Sequence, residues 1–287
     1  RLVAAFTCTD AGDCPTVQDW SVTWSEGIEV SGIARAYDRA TLVTAGTVRI
    51  ALNGVLQPST AAVAPDGSWT LTNVNAFPGD VMTVFIDGGA TSSRAAAIAR
   101  YDGFGDEEGL ELHARHLTLG SNKLMTLTNA DLSQYDNGVS TDADLFFDVD
   151  AGNDLDTCVV GGCFDANLYV LASTTYQPDS GGSGFVDTHD VIIDGTFLAD
   201  SNIITLSGSW DNQGRFDAGG SLVEMRATAT SETIDSTGAA TSSFFALTLG
   251  VGSGSATFTP VGPLDIDTTF RIDHGTYAPG SATTTIG

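Results

Sequence analysis

The densest group of side chains that could do chemistry is the acidic stretch DADLFFDVDAGNDLDTC, residues 142–158. Carboxylates two residues apart, followed by a turn with glycine and asparagine, can surround a hard cation with side-chain and backbone oxygens. The spacing of an EF-hand is absent, and a solvated acidic loop is the alternative. Calcium is therefore the one candidate cofactor, and a second patch at 101–109, YDGFGDEEG, is a weaker cation candidate. The candidate calcium ligands are Asp144, Asp148, Asp150, Asn153, Asp154 and Asp156.

Two further groups have the composition of an acid–base catalytic site. They are Asp187, Asp190 and Asp194 beside His189, and Asp211 with Arg215 and Asp217. Glycan-cleaving enzymes use such carboxylates as general acid and base. Aspartates in turns between short strands more often bond to nearby backbone, and no helix follows any glycine-rich loop that resembles a nucleophile elbow or a phosphate loop. We therefore predict that the chain is not an enzyme, and keep glycan cleavage as the lesser alternative.

Among the four histidines, only His113 and His116 lie close together in the sequence. The segment ELHARHLTL alternates and has strands as neighbours, so we predict a strand rather than a short helix. Positions three apart on a strand face opposite sides. The two imidazoles are therefore expected not to share a metal, and to be solvent-exposed or capping.

Charge limits the classes of partner. The 287 residues include 36 acidic and 11 basic ones, for a net charge of −25 and a pI near 4.1; Lys123 is the only lysine. A nucleic-acid backbone would be repelled by this field. No run of 18 or more apolar residues occurs, so no membrane span is predicted.

Four cysteines form two close pairs in the sequence, Cys8 with Cys14 and Cys158 with Cys163. A zinc site usually has two to four residues between paired cysteines, whereas these pairs have five and four. Two loop-closing disulfides are therefore favoured over a four-thiolate zinc site. Disulfides indicate an oxidising environment, and hence a secreted or cell-surface protein.

Alternating apolar runs and turn dipeptides indicate a β-sandwich in residues 20–100. The runs are IEVSGIARAYD, TVRIALNG, SWTLTNV and VMTVFIDG, and Asn-Gly or Asp-Gly pairs lie between or after them. The residues predicted to face inward are Val30, Ile33, Val48, Ile50, Leu52, Trp69, Leu71, Val81, Val84 and Ile86.

A repeat of about 20 residues occupies the C-terminal third. Segments that begin at Gly195, Gly214 and Gly275 share a glycine, an aromatic residue two positions later and a final serine. Such a repeat is typical of a parallel β-helix, in which each coil stacks on the previous one. Phe197, Phe216 and Tyr277 are then expected to stack in register; antiparallel hairpins are the alternative.

The motif at residues 208–221, GSWDNQGRFDAGGS, resembles the coils of long, repetitive secreted surface proteins of bacteria. The matching positions are Gly208, Ser209, Trp210, Asp211, Asn212, Gly214, Phe216, Ala218, Gly219 and Ser221. The resemblance implies right-handed parallel β-helices. The segments SGIARAYD, TVRIALNG and APDGSWTLTNV likewise resemble the Ig-like modules that precede such coils. The likeness covers nearly the whole chain, but its motifs are structural and say little about ligands.

We therefore predict an all-β protein with an N-terminal Ig-like β-sandwich at 1–105 and a right-handed parallel β-helix at 106–287. Its coils are expected to be irregular at 106–190 and regular at 191–287. The chain stops at SATTTIG without a polar cap, so a neighbouring subunit is expected to cover the last coil.

The expected function is a structural subunit of an extracellular filament, fibre or cell-surface assembly, in which identical subunits polymerise head to tail. The predicted assembly residues are Arg1, Leu2, Val3, Ala4, Ala5, Phe6, Thr285 and Ile286. A first sandwich strand is the alternative role for residues 1–6. A glycan-binding adhesin module, with Trp20, Trp24 or Trp210 as exposed aromatics, is the alternative function.

Overall fold

A computed structural model describes residues 27–135, 144–157, 166–179, 184–228, 230–238 and 242–287. The described chain is all-β, with a four-residue helix α1 at Asn129–Leu132 and one 3-10 turn at Thr91–Ser93. In this part of the chain, no helix has the length and apolar character needed to cross a membrane.

The N-terminal strands form two layers around one core. They are β1 (Ile28–Arg35), β2 (Thr47–Leu52), β3 (Val55–Ala62), β4 (Ser68–Val74), β5 (Val81–Asp87), β6 (Ala96–Arg100) and β7 (Glu107–His113). One layer is a three-stranded sheet in the order β4-β1-β7, and the other contains β6-β5-β2-β3. Asn53 and Gly54 join β2 to β3 with positive φ angles of 44° and 79°, the geometry of a two-residue hairpin turn.

The remaining described strands are two to nine residues long. They are β8 (His116–Leu119), β9 (Met125–Leu127), β10 (Asp148–Val149), β11 (Leu155–Asp156), β12 (Asn167–Val170), β13 (Thr174–Tyr176), β14 (Phe185–Thr188), β15 (Val191–Ile193), β16 (Thr196–Leu198), β17 (Ile203–Leu206), β18 (Trp210–Asn212), β19 (Arg215–Asp217), β20 (Leu222–Met225), β21 (Ser231–Asp235), β22 (Phe244–Leu249), β23 (Thr257–Pro260), β24 (Leu264–Ile272), β25 (Thr276–Tyr277) and β26 (Thr284–Ile286).

From β12 onward, the described strands pair in parallel within three sheets. An eight-stranded sheet has the order β10-β11-β14-β17-β20-β22-β24-β26, and a four-stranded sheet has the order β19-β16-β13-β9. An eleven-stranded sheet has the order β25-β23-β21-β18-β15-β12-β8-β6-β5-β2-β3. Ile192 pairs with Asp211 and Asp211 pairs with Asp235, steps of 19 (211 − 192) and 24 (235 − 211) residues.

An aromatic stack fills the space between the three parallel sheets. Phe197 lies in register between Tyr176 and Phe216, with ring centroids 5.0 Å and 5.8 Å away. Trp210 and Phe244 extend the stack. All five side chains are fully buried. Burial of such large apolar surfaces is the main force that holds one set of successive strands, called a coil below, on the next.

The eleven-stranded sheet runs without interruption from the N-terminal layer into the stacked coils, because β6 pairs in parallel with β8. Strand β5 is buried on both faces. Its Val81 and Phe85 belong to the core of the coils, whereas Met82, Val84 and Ile86 belong to the N-terminal core. One strand therefore supplies both cores. The predicted domain boundary between residues 105 and 106 stays a prediction. Strand β7 lies after this boundary in the sequence but pairs with β1 of the N-terminal layer.

The four alternating runs lie on β1, β2, β4 and β5, and ELHARHLTL forms strands β7 and β8. Of the residues predicted to face inward, Ile33 is only partly buried, because Val30 and Ala34 occupy the inward face of β1 and Ile33 alternates to the other face. Val81 is buried, but it belongs to the core of the coils rather than to the N-terminal core. Both assignments are therefore wrong.

One residue of the predicted aromatic column is misplaced. Phe197 and Phe216 stack as predicted, but Tyr277 lies in β25 of the eleven-stranded sheet, where it pairs with Phe258 and contacts Phe270. Within the described ranges the four-stranded sheet ends at β19, and Tyr277 does not continue the column above Phe216. The repeated Gly-x-aromatic pattern thus occupies two different corners of the coil.

Candidate functional site

A cleft of about 690 Å³ lies between the loop at residues 36–42 and one face of the eleven-stranded sheet. Tyr37, Asp38 and Arg39 form one wall. The floor comes from strands β15, β18 and β21 and the residues next to them. The site therefore exists only because an N-terminal loop folds over the stacked coils.

Hydrogen bonds within the loop fix its shape. The carboxylate of Asp38 accepts hydrogen bonds from the backbone N–H of Ala40 at 3.0 Å, from that of Thr41 at 2.8 Å and from the Thr41 hydroxyl at 2.6 Å. These bonds lower the pKa of Asp38, the largest effect being that of the Thr41 hydroxyl. The loop wall is therefore formed in advance of any ligand.

Arg39 connects the loop to the coils. Its guanidinium lies 3.5 Å from the Asp211 carboxylate and 5.0 Å above the ring of Tyr169. The Tyr169 hydroxyl donates to Asp194 at 2.6 Å. Burial and this bond raise the pKa of Tyr169 above its usual value. Cation–π and ionic contacts together hold the loop across the sheet.

A row of hydrogen bonds crosses the strands at one end of the cleft. Asn167 donates from its side chain to Nε2 of His116 at 3.1 Å and accepts from the backbone N–H of Asp190 at 3.1 Å. The carboxylate of Asp190 accepts from the backbone N–H of Ser209 at 2.7 Å, and the Ser209 hydroxyl donates to Glu232 at 2.9 Å. Each coil thus contributes one polar residue to a continuous row.

The pKa values of His116 and Asp190, two titratable groups of this row, are shifted toward the neutral form. Burial, with smaller effects from His113, Arg39 and Arg115, lowers the pKa of His116 to about 3. Its Nδ1 lies 2.8 Å from the Ala114 carbonyl, so a neutral ring donates there and accepts from Asn167. Burial also raises the pKa of Asp190, although the Ser209 N–H opposes the shift.

His113 and His116 were expected to be solvent-exposed or capping and to face opposite sides, and the expectations of exposure and of opposite faces are wrong. Both are buried, and their ring centroids are 5.7 Å apart. The strand is interrupted between them, because Arg115 has a φ of +60° in a turn that joins β7 to β8. His113 contacts Glu111 at 3.0 Å.

The candidate catalytic residues are separated by the fold. Asp190 and Asp211 both line the cleft. Asp187 instead contacts Arg226 at 3.7 Å on the eight-stranded sheet, and Asp217 contacts Arg215 at 2.5 Å on the four-stranded sheet. His189 lies 3.0 Å from the Ser207 hydroxyl and 3.9 Å from the Asp190 carboxylate, so the fold brings each predicted group together only in part.

The candidate calcium ligands are engaged mainly in local backbone contacts. Asp150 accepts from the backbone N–H groups of Gly152 and Asp154 at 2.7 and 3.1 Å, and Asp154 accepts from that of Phe185 at 2.7 Å. Asp144 accepts a hydrogen bond from the backbone N–H of Gly88. Asp148 pairs with Asp156 across strands β10 and β11, and Asn153 lies in a turn with a φ of +66°. Within the described ranges, no three His, Cys, Asp or Glu side chains are grouped as metal ligands. Calcium binding stays a prediction.

The second acidic patch is divided between surface and core. Glu107 is completely buried in β7, where it accepts a hydrogen bond from Ser121 and lies 3.3 Å from Nζ of Lys123. Asp102 receives a bond from the same Nζ at 2.9 Å. The patch therefore binds the only lysine of the chain.

Other predicted residues lie outside the described part of the chain. These are Cys8, Cys14, Cys158 and Cys163, the assembly residues Arg1–Phe6, and Trp20 and Trp24. Thr285 and Ile286 lie in β26. Trp210 is fully buried in the coil core, which corrects its assignment as an exposed, glycan-contacting aromatic.

Sequence reasoning missed the loop wall of the cleft, since no local signal joins Tyr37 or Arg39 to residues more than 150 positions away. Comparison of the chain with protein-family models, with curated proteins and with solved structures gave no match. The function therefore has to be argued from the geometry.

Proposed function

We propose that the chain is a structural, non-enzymatic protein of an extracellular or cell-surface assembly, which joins identical subunits head to tail. In this proposal the N-terminal layers form an Ig-like sandwich, and the three parallel sheets form a right-handed parallel β-helix. The right hand follows from the strong preference of parallel crossover connections.

The stacked coils support a structural role. The buried aromatic stack and the uninterrupted eleven-stranded sheet connect the N-terminal core with the coils. A rigid body of this kind transmits force along its length without a hinge, since neighbouring coils share both backbone hydrogen bonds and core. Because the chain has a net charge of −25, copies repel one another except where specific contacts join them.

The observation that carries the proposal is the open edge at the C-terminal coil. In the described part of the chain, β26 pairs with β24 on one side only, and β25 is likewise the outermost strand of its sheet. Ile272 and Ile286 are 45% and 53% exposed. Unpaired backbone groups beside exposed aliphatic side chains form a template for another strand.

The register identifies which backbone groups are open. Leu264 donates to the Thr283 carbonyl, and Gly287 donates to the Ile266 carbonyl. Because alternate residues of a strand point to opposite edges, the N–H groups of Thr284 and Ile286 point away from β24. The proposed occupant of this edge is the apolar segment 1–6 of a second copy, which adds as a further strand.

The test compares three variants with the unchanged protein by sedimentation velocity and negative-stain electron microscopy. Deletion of residues 1–6 removes the proposed strand, and Ile286→Pro removes an outward N–H. Ile286→Ala is the matched control, because it keeps that donor. We expect polymers from the unchanged protein and Ile286→Ala, and monomers from the other two. Monomers of the unchanged protein at high concentration, or polymers of equal length in every variant, would overturn the proposal.

A further inference from the structure

The cleft between residues 36–42 and the eleven-stranded sheet has the properties of a binding site. Its volume of about 690 Å³ falls within the usual range for sites that hold small ligands. Its wall is held in place by the Asp38 turn and by the Arg39 contacts with Asp211 and Tyr169. A preformed wall reduces the ordering that a ligand has to impose.

Charge restricts the ligand. Four aspartates line the cleft, at positions 38, 190, 211 and 235, and Arg39 is already paired with one of them. An anionic ligand would be repelled by this set and by the net charge of −25. A bound metal ion is disfavoured too, because the described residues contain no group of three suitable ligands.

The polarity of the floor restricts the ligand further. Ile192 and Val261 are the only aliphatic residues in the lining described, and Ser209, Gln213 and Thr233 stand among the carboxylates. These groups are hydrogen-bond acceptors, or both donors and acceptors. A ligand that fits them presents many hydroxyl groups. The Tyr37 ring, 40% exposed, adds an aromatic surface to the wall, and Arg115 lies 4.8 Å over this ring.

The floor also repeats. Ile192, Asp211 and Asp235 occupy the same register position on three neighbouring strands, which lie about 4.8 Å apart. That interval is close to the length of one sugar ring. We propose that this cleft binds a neutral oligosaccharide, whose successive sugars lie across successive coils and donate hydroxyl hydrogen bonds to Asp211 and Asp235.

Isothermal titration calorimetry of the full chain tests this proposal. The probes are neutral hexose and N-acetylhexosamine oligosaccharides of two to six sugars, with their uronic-acid counterparts. We expect at least one neutral probe to bind and its uronate counterpart not to bind. Asp211→Ala is expected to weaken binding by at least about tenfold, the usual effect of losing hydrogen bonds to a charged group.

Asp217→Ala is the matched control. Asp217 also lies on a coil strand and also pairs with an arginine, Arg215, but on the four-stranded sheet. The affinity of the Asp217→Ala variant for the neutral probe is expected to equal that of the unchanged protein. The proposal is overturned if no neutral probe binds at about 10 mM, if uronates bind equally well, or if the two variants lose affinity alike. The open edge of β26 is not involved, so this result is independent of polymer formation.

Discussion

Lys123 shows how much a single residue can contribute in a chain with few cations. Its ammonium donates to Asp102 and to the Phe104 carbonyl, lies 5.1 Å over the Tyr101 ring and lies 3.3 Å from buried Glu107. Burial raises the pKa of Glu107, while Ser121 and Lys123 oppose the shift. The folded state therefore binds the Glu107 proton more tightly than the unfolded state.

Replacement of this lysine has a pH-dependent effect. Because the pKa of Glu107 is raised on folding, its contribution to the free energy of unfolding is largest below its unfolded pKa of 4.5 and decreases as pH rises toward the folded pKa. Lys123→Met removes an opposing charge and raises that pKa further. We expect a loss of about 2 to 3 kcal/mol at pH 7 and a smaller loss at pH 4, measured by urea denaturation.

The control for this experiment is the double variant Lys123→Met/Glu107→Gln. It has no carboxylate at position 107, so its loss of stability relative to the unchanged protein should be nearly equal at the two pH values. An equal loss for Lys123→Met alone at pH 4 and pH 7 would show that Glu107 does not depend on the lysine.

At the scale of the elements, glycines at the coil corners allow adjacent coils to approach. A Cβ on Gly214 would lie 2.1 Å from the Gly195 carbonyl oxygen, and one on Gly195 would lie 2.2 Å from that of Leu171. Neither glycine has a positive φ. These two positions therefore require glycine because no space is left for a Cβ, and not because of their backbone conformation. The corner of one coil packs directly on the next.

Gly214→Ala is expected to destabilise the protein by about 1 to 3 kcal/mol, because rigid backbone has to move. Gly220→Ala is the matched control in the same motif. A Cβ at that position comes closest to the flexible Ser201 hydroxyl, at 3.3 Å, and the nearest backbone atom, the Asp200 carbonyl oxygen, is at an ordinary contact distance of 3.8 Å. The change should therefore be below about 0.5 kcal/mol. If the two variants had equal midpoints in urea denaturation, the proposal that close packing at the corner excludes a Cβ at position 214 would be contradicted.

At the scale of the molecule, the two hydrophobic cores are joined through a single sheet. Strand β5 contributes to both cores, and β6 pairs with β8 across the junction. Arg39 adds a second connection from the N-terminal loop to the coils. Partial unfolding of either part would leave the other with an open sheet edge and uncovered apolar residues.

We therefore expect a single cooperative unfolding transition in differential scanning calorimetry. Phe216→Ala in the coil core and Leu71→Ala in the N-terminal core should each lower the temperature of that one transition, with destabilisations of about 3 to 5 and 2 to 5 kcal/mol. A second endotherm, shifted by only one of the two substitutions, would show that the parts unfold independently.

The local sequence pattern determined the strand content of this protein. Alternation located β1, β2, β4 and β5, and the glycine-aromatic repeat located the register of Phe197 on Phe216. These features depend on interactions between neighbouring residues or neighbouring coils, which leave a periodic signal. Strand β3, with the sequence VLQPSTAA, was missed because its alternation is weak.

Only the tertiary structure decided where the cleft lies and which residues line it. The turn at Arg115 brings two histidines together that the strand pattern had separated, and the end of the four-stranded sheet removes Tyr277 from the aromatic column. Arg39 and Asp211 are 172 positions apart (211 − 39). No periodicity encodes such a contact, because it depends on how a whole layer packs against another rather than on any neighbouring side chain.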